Sequence, residues 1–396
     1  MFNSNRILSY CTNVHAGTDY VSTLKNLETY AVAVKALVSP DGPMGVGLWL
    51  PASTAREILD NNRVGELREW LEARGLCVVT MNGFPYGDFH QSVVKHDVYL
   101  PTWAQEERLD YTMQLVRILG GLLPKDAEGS ISTLPISWPT DDDSQVIEDA
   151  TNQLLKLCDF LAREEAATGH CIHIDIEPEP GCLLDTTAGM IAYFEEHLYH
   201  GGDKKHIGRY LRVCHDVCHA AVMGEEQAAV MEAYRDAGVR VGKIQLSSAV
   251  EVDFTELSAT EQSAALAQLA QFQEPRYLHQ TMVDNVALGY GLLYEDLPEA
   301  LDVLGNEELA SLSLRTHFHV PIYLDDIGHL HATQRDVVEC LENVDTLTDC
   351  QHIEVETYAW NVLPEELRVD NLAEGIAREM QWVLDVTSKL TESEAE

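Results

Sequence analysis

Short apolar, strand-like runs alternate along almost the whole chain with stretches whose apolar residues keep a helical spacing. RILSYCTNV (6–14) reads as a first strand, followed by a helical stretch from Leu24 to Leu37, a Pro/Gly loop, and a second strand in GVGLWLP (45–51). Ile58, Leu59, Leu67, Trp70 and Leu71 predict one helix, capped by Ser53 or Thr54 and stopped by Gly75, before the buried strand LCVVTMNGF (76–84). A long loop over residues 85–103 precedes a helix with Leu109, Met113, Val116 and Leu119 on one face. Loops of that length often serve a site. ISTLPISW (131–138) is the fourth strand, and a solvated Asp-rich start leads into a helix with Ile147, Ala150, Leu154, Leu157 and Leu161.

Strands five to seven are CIHIDIEP (171–178), the start of LRVCHDVCHAA (211–221) and VGKIQLS (241–247), with helices between them. Residues 250–325 do not fit one connection. They hold a helix from Ser258 to Phe272, the extended PRYLHQTMV (275–283), a helix from Leu297 to Leu304, and RTHFHVPIY (315–323). HIEVETYAW (352–360) is the last strand, a helix from Pro364 to Val386 closes the pattern, and residues 387–396 form a polar tail. Eight strand–helix units predict an α/β fold, a (β/α)8 TIM barrel with an insertion between strands seven and eight, as one domain over residues 1–386. The alternative is an open doubly wound sheet. Its nucleotide-binding form lacks support, because no GxGxxG or P-loop follows the first strand.

Charge narrows the partners. With 26 basic against 65 acidic residues in 396, the net charge of −39 opposes a phosphate backbone or an anionic membrane surface, so nucleic acid is not an expected partner. Nine scattered cysteines without a CxxC pair suit a reducing compartment. No apolar run approaches the length of a spanning helix and no signal peptide opens the chain, so a cytoplasmic protein without stable membrane insertion is expected.

In a barrel the strand C-termini converge on one face. Those ends offer Glu177 and Glu179, Asp216 and His219, Gln245, His317 and His319, and Glu354 and Glu356, with His15 in the turn after the first strand. Mixed carboxylate, imidazole and amide donors suit one divalent ion of intermediate hardness: manganese, cobalt or zinc. Each residue also has a plain structural reading. Asp216 and His219 read as a helix cap and a hydrogen-bonded side chain, His15 as a turn residue, Glu179 as a surface residue, and His317 and His319 as outward residues of a hairpin. Glu354 and Glu356 share a face by period two, with Glu354 one layer deeper.

This order of residues resembles the xylose-isomerase-like barrels, which include ketose epimerases and endonuclease IV. Glu177-Pro178 is similar to the epimerases' Glu-Pro, Asp216-Val-Cys-His219-Ala to the endonuclease's Asp-Thr-Cys-His-Ala, and His317-Phe-His319 falls where that enzyme has Asp-x-His. SYCTNVHAG (9–17), HFHVPIY (317–323) and EVETYAWNVLP (354–364) resemble the EboE-type metabolite-traffic proteins over nearly the whole chain. The resemblance implies that Glu177, Asp216 and Glu356 hold metal, that Gln245 stands where a histidine is usual, and that Glu177, Glu356 and His219 are catalytic. An amide oxygen at that position, harder than imidazole, adds magnesium to the candidate ions. His15, His317, His319 and Glu354 are further candidates for metal or substrate.

The resulting expectation is a metal-dependent, isomerase- or epimerase-like proton transfer on a small metabolite, in secondary-metabolite processing or traffic alongside other proteins of that pathway. The alternatives are a non-catalytic metabolite carrier for export and a metal-dependent phosphoester hydrolase.

Overall fold

The computed structural model describes residues 6–305 and 307–394. Eight parallel strands close into a barrel: β1 (Ile7–Cys11), β2 (Met44–Trp49), β3 (Leu76–Asn82), β4 (Gly129–Thr133), β5 (Ile172–Ile176), β6 (Leu211–Asp216), β7 (Val241–Leu246) and a last strand, His352–Val355. Neighbours follow chain order around the ring, and the last strand closes it between β7 and β1.

Strand alternation decides what fills the barrel. Along β5, Ile172, Ile174 and Ile176 belong to the buried apolar core, while His173 and Asp175 bond to other polar groups. The same division holds on β7, where Ile244 and Leu246 join the apolar core and Lys243 and Gln245 reach Ser132 and Glu177 across the barrel. Barrel interiors are ordinarily packed with bulky aliphatic residues. This one is lined instead by a polar column.

The helices bury one stripe each. Helix Glu106–Leu122 buries Leu109, Leu115, Val116 and Leu119, and helix Asp143–Thr168, with Asp142 as its side-chain cap, buries Leu154, Leu157 and Leu161. Each such leucine contributes about 1.5–3 kcal/mol, and Leu157→Ala would cost about 2–5 kcal/mol. The stretch expected to form one helix after β2 is two, Ala52–Asp60 and Val64–Glu72, with Asn62 at φ 53° between them. Pro51 occupies the cap position there, and Ser53 bonds instead to the Thr18 carbonyl. Gly75 ends the second helix at φ 65°, as its sequence position suggested.

Between β7 and the last barrel strand lies a six-stranded antiparallel sheet of β8 (Val250–Asp253), β9 (Thr281–Asn285), β10 (Tyr290–Tyr294), β11 (Leu312–Thr316), β12 (Asp326–Ile327) and β13 (Leu330–Ala332). The barrel strand His352–Val355 is therefore β14 in chain order. The sheet extends beyond residue 325 to Ala332. RTHFHVPIY is strand only to Thr316, after which His317 to Ile322 leave the ladder. The closing helix runs Leu372–Glu394, starting later than Pro364 and continuing through most of the segment read as a polar tail. Among the described residues no helix is long and apolar enough to cross a membrane.

Candidate metal centre and cleft

The barrel tops bring four polar side chains together. Gln245 Nε2 donates to Glu177 Oε1 at 3.1 Å, to Asp216 Oδ2 at 3.3 Å and to the Glu356 carboxylate. An amide N–H2 thus sits where three carboxylates converge. All four residues are buried, and Glu177 Oε2 has no hydrogen-bond partner among the described residues.

Neighbouring groups hold these carboxylates in place. Asp216 ends β6 and caps helix Val217–Val222, with Oδ1 accepting from the His219 amide at 3.0 Å and from Ser247 Oγ at 2.7 Å. Asp216 is thus a helix cap through Oδ1 and a member of the carboxylate cluster through Oδ2. Asn13 and Asn82 each donate from Nδ2 to Glu356 Oε1 at 2.8 Å. Burial, with the nearby Glu356 and Asp216 charges, lifts Glu177 well above the usual carboxylate range. Burial and Asp216 push Glu356 up to about 8. Asp216 behaves differently: burial also raises it, but His219, His319 and the Ser247 hydroxyl outweigh that and leave it lowered.

Beside the carboxylates stand three imidazoles. His219 Nδ1–H donates to the Pro178 carbonyl at 2.8 Å, and His319 Nδ1–H to the Glu356 carbonyl at 2.6 Å. A carbonyl can only accept, so both Nε2 atoms carry lone pairs when the rings are neutral. The Gln280 Nε2 group donates to Glu179 Oε1 at 3.0 Å, so its Oε1 accepts from His317 Nδ1–H at 2.8 Å and frees the third Nε2. His317 Nε2 lies 3.2 Å from the Nε2 atoms of both His219 and His319. In those tautomers neither contact is a hydrogen bond. Burial and the neighbouring rings push His317 well below its ordinary value, and burial takes His319 down to about 4, which keeps the lone pairs of those two rings available.

The donor chemistry fits a divalent ion. Glu177, Asp216 and Glu356 offer oxygens within 4.8 Å of one another, and Asp216, His219 and His319 form a second such group. Anchoring one ring nitrogen to an acceptor and freeing the other is how histidine ligands are commonly oriented. Gln245 would present Oε1 to an ion after a half-turn of its amide.

Two expected residues lie elsewhere. His15 is stacked on Tyr30 at 4.2 Å, 3.2 Å from the Tyr10 hydroxyl, and burial pushes it down to about 3. The tight turn Thr12–Val14 carries it past the strand end, and Asn13 is what that turn gives the cluster. Glu354 is one layer deeper, as read from the alternation, where it pairs with Lys243 at 2.6 Å. Gly47 makes room for it, since a Cβ there would stand 1.3 Å from Glu354 Oε2.

Asn13, Asn82, Tyr99, Gln280 and Tyr358 were not found from the sequence. Glu179, read as a surface residue, is buried and accepts from the Tyr99 hydroxyl at 2.8 Å. Above the cluster opens a cleft with about 530 Å³ of unfilled space, counting its solvent-open mouth, lined on its outer side by Phe84, Phe89, Tyr277 and Tyr358.

No protein-family model matches the chain, and no curated protein matches it in sequence. Solved structures match over nearly the full length of both chains. The IolI protein with a bound zinc atom is 10% identical, covering 97% of this chain and 99% of that one at a TM-score of 0.50. A candidate sugar phosphate isomerase/epimerase from Anabaena variabilis ATCC 29413 is 15% identical, covering 98% and 99% at 0.51. A D-tagatose 3-epimerase-like protein is 12% identical, covering 97% and 98% at 0.50. At such identities the likeness establishes a common fold.

Proposed function

We propose that this barrel is a divalent-metal enzyme of the isomerase and epimerase class, acting on a small hydroxy-carbonyl metabolite. One observation carries the reading: three buried carboxylates from three strand ends converge on a single amide, with Glu177 Oε2 left unpartnered. Glu177, Asp216 and Glu356 would hold the ion, joined by Gln245 through its amide oxygen. A divalent ion held there would supply polarisation of a substrate carbonyl and its neighbouring hydroxyl.

The chain's own groups then handle the proton. Glu177 accepts the α-proton on its free Oε2, and Glu356, fixed by the Asn13 and Asn82 amides, returns one. His219, held by the Pro178 carbonyl, orients a substrate oxygen. Burial of the carboxylates limits their contact with bulk water, which protects an enolised substrate from side reactions. The likeness of three segments to EboE-type proteins supports a place in secondary-metabolite processing or traffic.

Solvent-exchange NMR tests the reading. Metal-loaded protein in heavy water should wash deuterium into the α-position of hydroxyacetone, and Glu177→Gln should slow this by about 10²–10⁴-fold, the range of general-base catalysis. Exchange at the uncatalysed rate with metal bound would refute it.

A second reading is favoured by the three converging Nε2 atoms. His219, His317 and His319 would seat a further ion, as suits a hydrolase of a phosphorylated metabolite. Metal stoichiometry separates the two: about one ion for the isomerase, two or three for the hydrolase.

A further inference from the structure

The cleft's outer wall departs from what a phosphorylated sugar needs. Phe89, Tyr277 and Tyr358 form a triangle of rings with centroids 4.9, 5.4 and 5.0 Å apart, and Tyr358 meets the other two edge to face. Their polar tips are already engaged by the protein. The Tyr277 hydroxyl donates to the Phe89 carbonyl at 3.1 Å, and the Tyr358 hydroxyl lies 3.4 Å from His317 Nε2. What remains for a ligand is ring surface. Phe84 and Leu278 extend that surface.

The wall is fixed by the fold. Phe84 and Phe89 come from the loop after β3, and Tyr277 and Leu278 from the insertion. The two segments are joined by the Val94 and Lys95 amides donating to the Arg276 carbonyl at 2.7 and 2.9 Å.

Charge points the same way. The cleft is lined by Glu177, Glu179 and Glu356, and Lys95 is the one lysine or arginine among its lining residues. Lys95 Nζ sits 2.5 Å from Asp296 Oδ2, so its charge is already matched. Phosphate sites ordinarily present arginine forks, free lysines or uncapped helix N-termini. Among the described residues none lines this cleft, and the helix that starts there is capped by Asp216.

We infer that the substrate is an uncharged hydroxy-carbonyl compound carrying a compact apolar group, aryl or short alkyl, which seats against the Phe89, Tyr277 and Tyr358 rings. The inference deepens the isomerase reading and rests on it. The hydroxy-carbonyl end faces the carboxylates and imidazoles, and the apolar end gains affinity by leaving water at about 25 cal/mol per Å².

Calorimetric titration of the manganese-loaded full chain tests this with three probes: hydroxyacetone, 2-hydroxyacetophenone and dihydroxyacetone phosphate. The aryl ketone should bind at least about tenfold tighter than hydroxyacetone, and the phosphate more weakly than either. Tyr277→Ala should narrow the ratio between the two ketones, and Phe89→Leu gives the same readout should the first variant fail to fold. Metal-dependent hydroxyacetone binding with no aryl gain, or with the phosphate bound tightest, would overturn the substrate class while the isomerase reading stands. No binding of any ketone to metal-loaded protein would overturn both.

Discussion

Two layers of the same barrel, one directly above the other, bury charge in opposite ways. In the lower layer each carboxylate has a donor of its own: Lys243 pairs with Glu354 at 2.6 Å and reaches Ser132 at 3.3 Å, while Asp175 accepts from His173 and Ser130, each at 2.6 Å. Burial alone would push Lys243 down, but the adjacent Glu354 charge outweighs it and holds the ammonium form. In the upper layer, Glu177, Asp216 and Glu356 share one neutral amide as their common partner. The lower layer's carboxylates are matched one by one. The upper layer is short of positive charge, and that shortage marks it as a place for a ligand rather than as part of the scaffold.

Breaking the lower layer should have the largest effect. Lys243→Met strands Glu354 in the barrel and should destabilise the protein by about 3–5 kcal/mol in urea unfolding, and adding Glu354→Leu should recover most of that. Equal losses in the single and double variants would mean the pair is not an energetic unit.

Glu379 sharpens the comparison because it is buried among neutral donors, Thr357 Oγ1 at 2.6 Å and the Ile322 amide at 3.2 Å. Burial raises its carboxyl from 4.5 to about 8. Between those values the folded state holds a proton that the unfolded state has lost. Its contribution is therefore present below the lower value and disappears as pH rises through the upper one. Glu379→Gln should flatten this fall, on the order of a few kcal/mol, when unfolding free energies are compared between about pH 5 and 8. An unchanged slope would assign the pH dependence to other groups.

In the upper layer the sign should reverse. Glu177→Gln removes a carboxyl whose ionised form burial, Glu356 and Asp216 disfavour, and should stabilise metal-free protein by about 1–2 kcal/mol under alkaline conditions, while abolishing the stabilisation gained on adding metal. A loss of stability without metal would make Glu177 a scaffold residue. The smallest expected effect belongs to Gln245→His, which places imidazole among the carboxylates and should raise zinc affinity about tenfold, roughly 1.4 kcal/mol, relative to manganese. Unchanged affinities for both ions would show that position 245 is not a ligand.

Much of this arrangement was legible in the sequence because strand periodicity and charge survive translation into a barrel. Glu177, Asp216, Gln245 and Glu356 end strands and therefore meet. Glu354 sits below Glu356 because the two-residue alternation of β14 carries on to the residue that follows it. Asn13 and Asn82 left no signal, since neutral amides at strand ends are indistinguishable from turn residues until Glu356 is seen to accept from both. His15 misled for the converse reason: it follows the strand end in sequence, but one tight turn decides its direction. The insertion's hairpin of β9 and β10 was also missed. PRYLHQTMV joins a loop to the first residues of β9, and the turn before β10 depends on Gly289 at φ 69°. His317 and His319 were legible as insertion residues offered to the site, whereas the part played by the Tyr277 ring shows only in the folded cleft.

The upper layer as a metal seat is tested most directly by measuring metal content together with thermal unfolding, on protein purified without chelator and on Asp216→Ala. At least about one equivalent of a divalent ion should accompany the native chain, chelation should lower its melting temperature, and Asp216→Ala should lose both the ion and the sensitivity. Native protein that carries no metal, with a melting curve indifferent to chelator and to added manganese or zinc, would contradict the account.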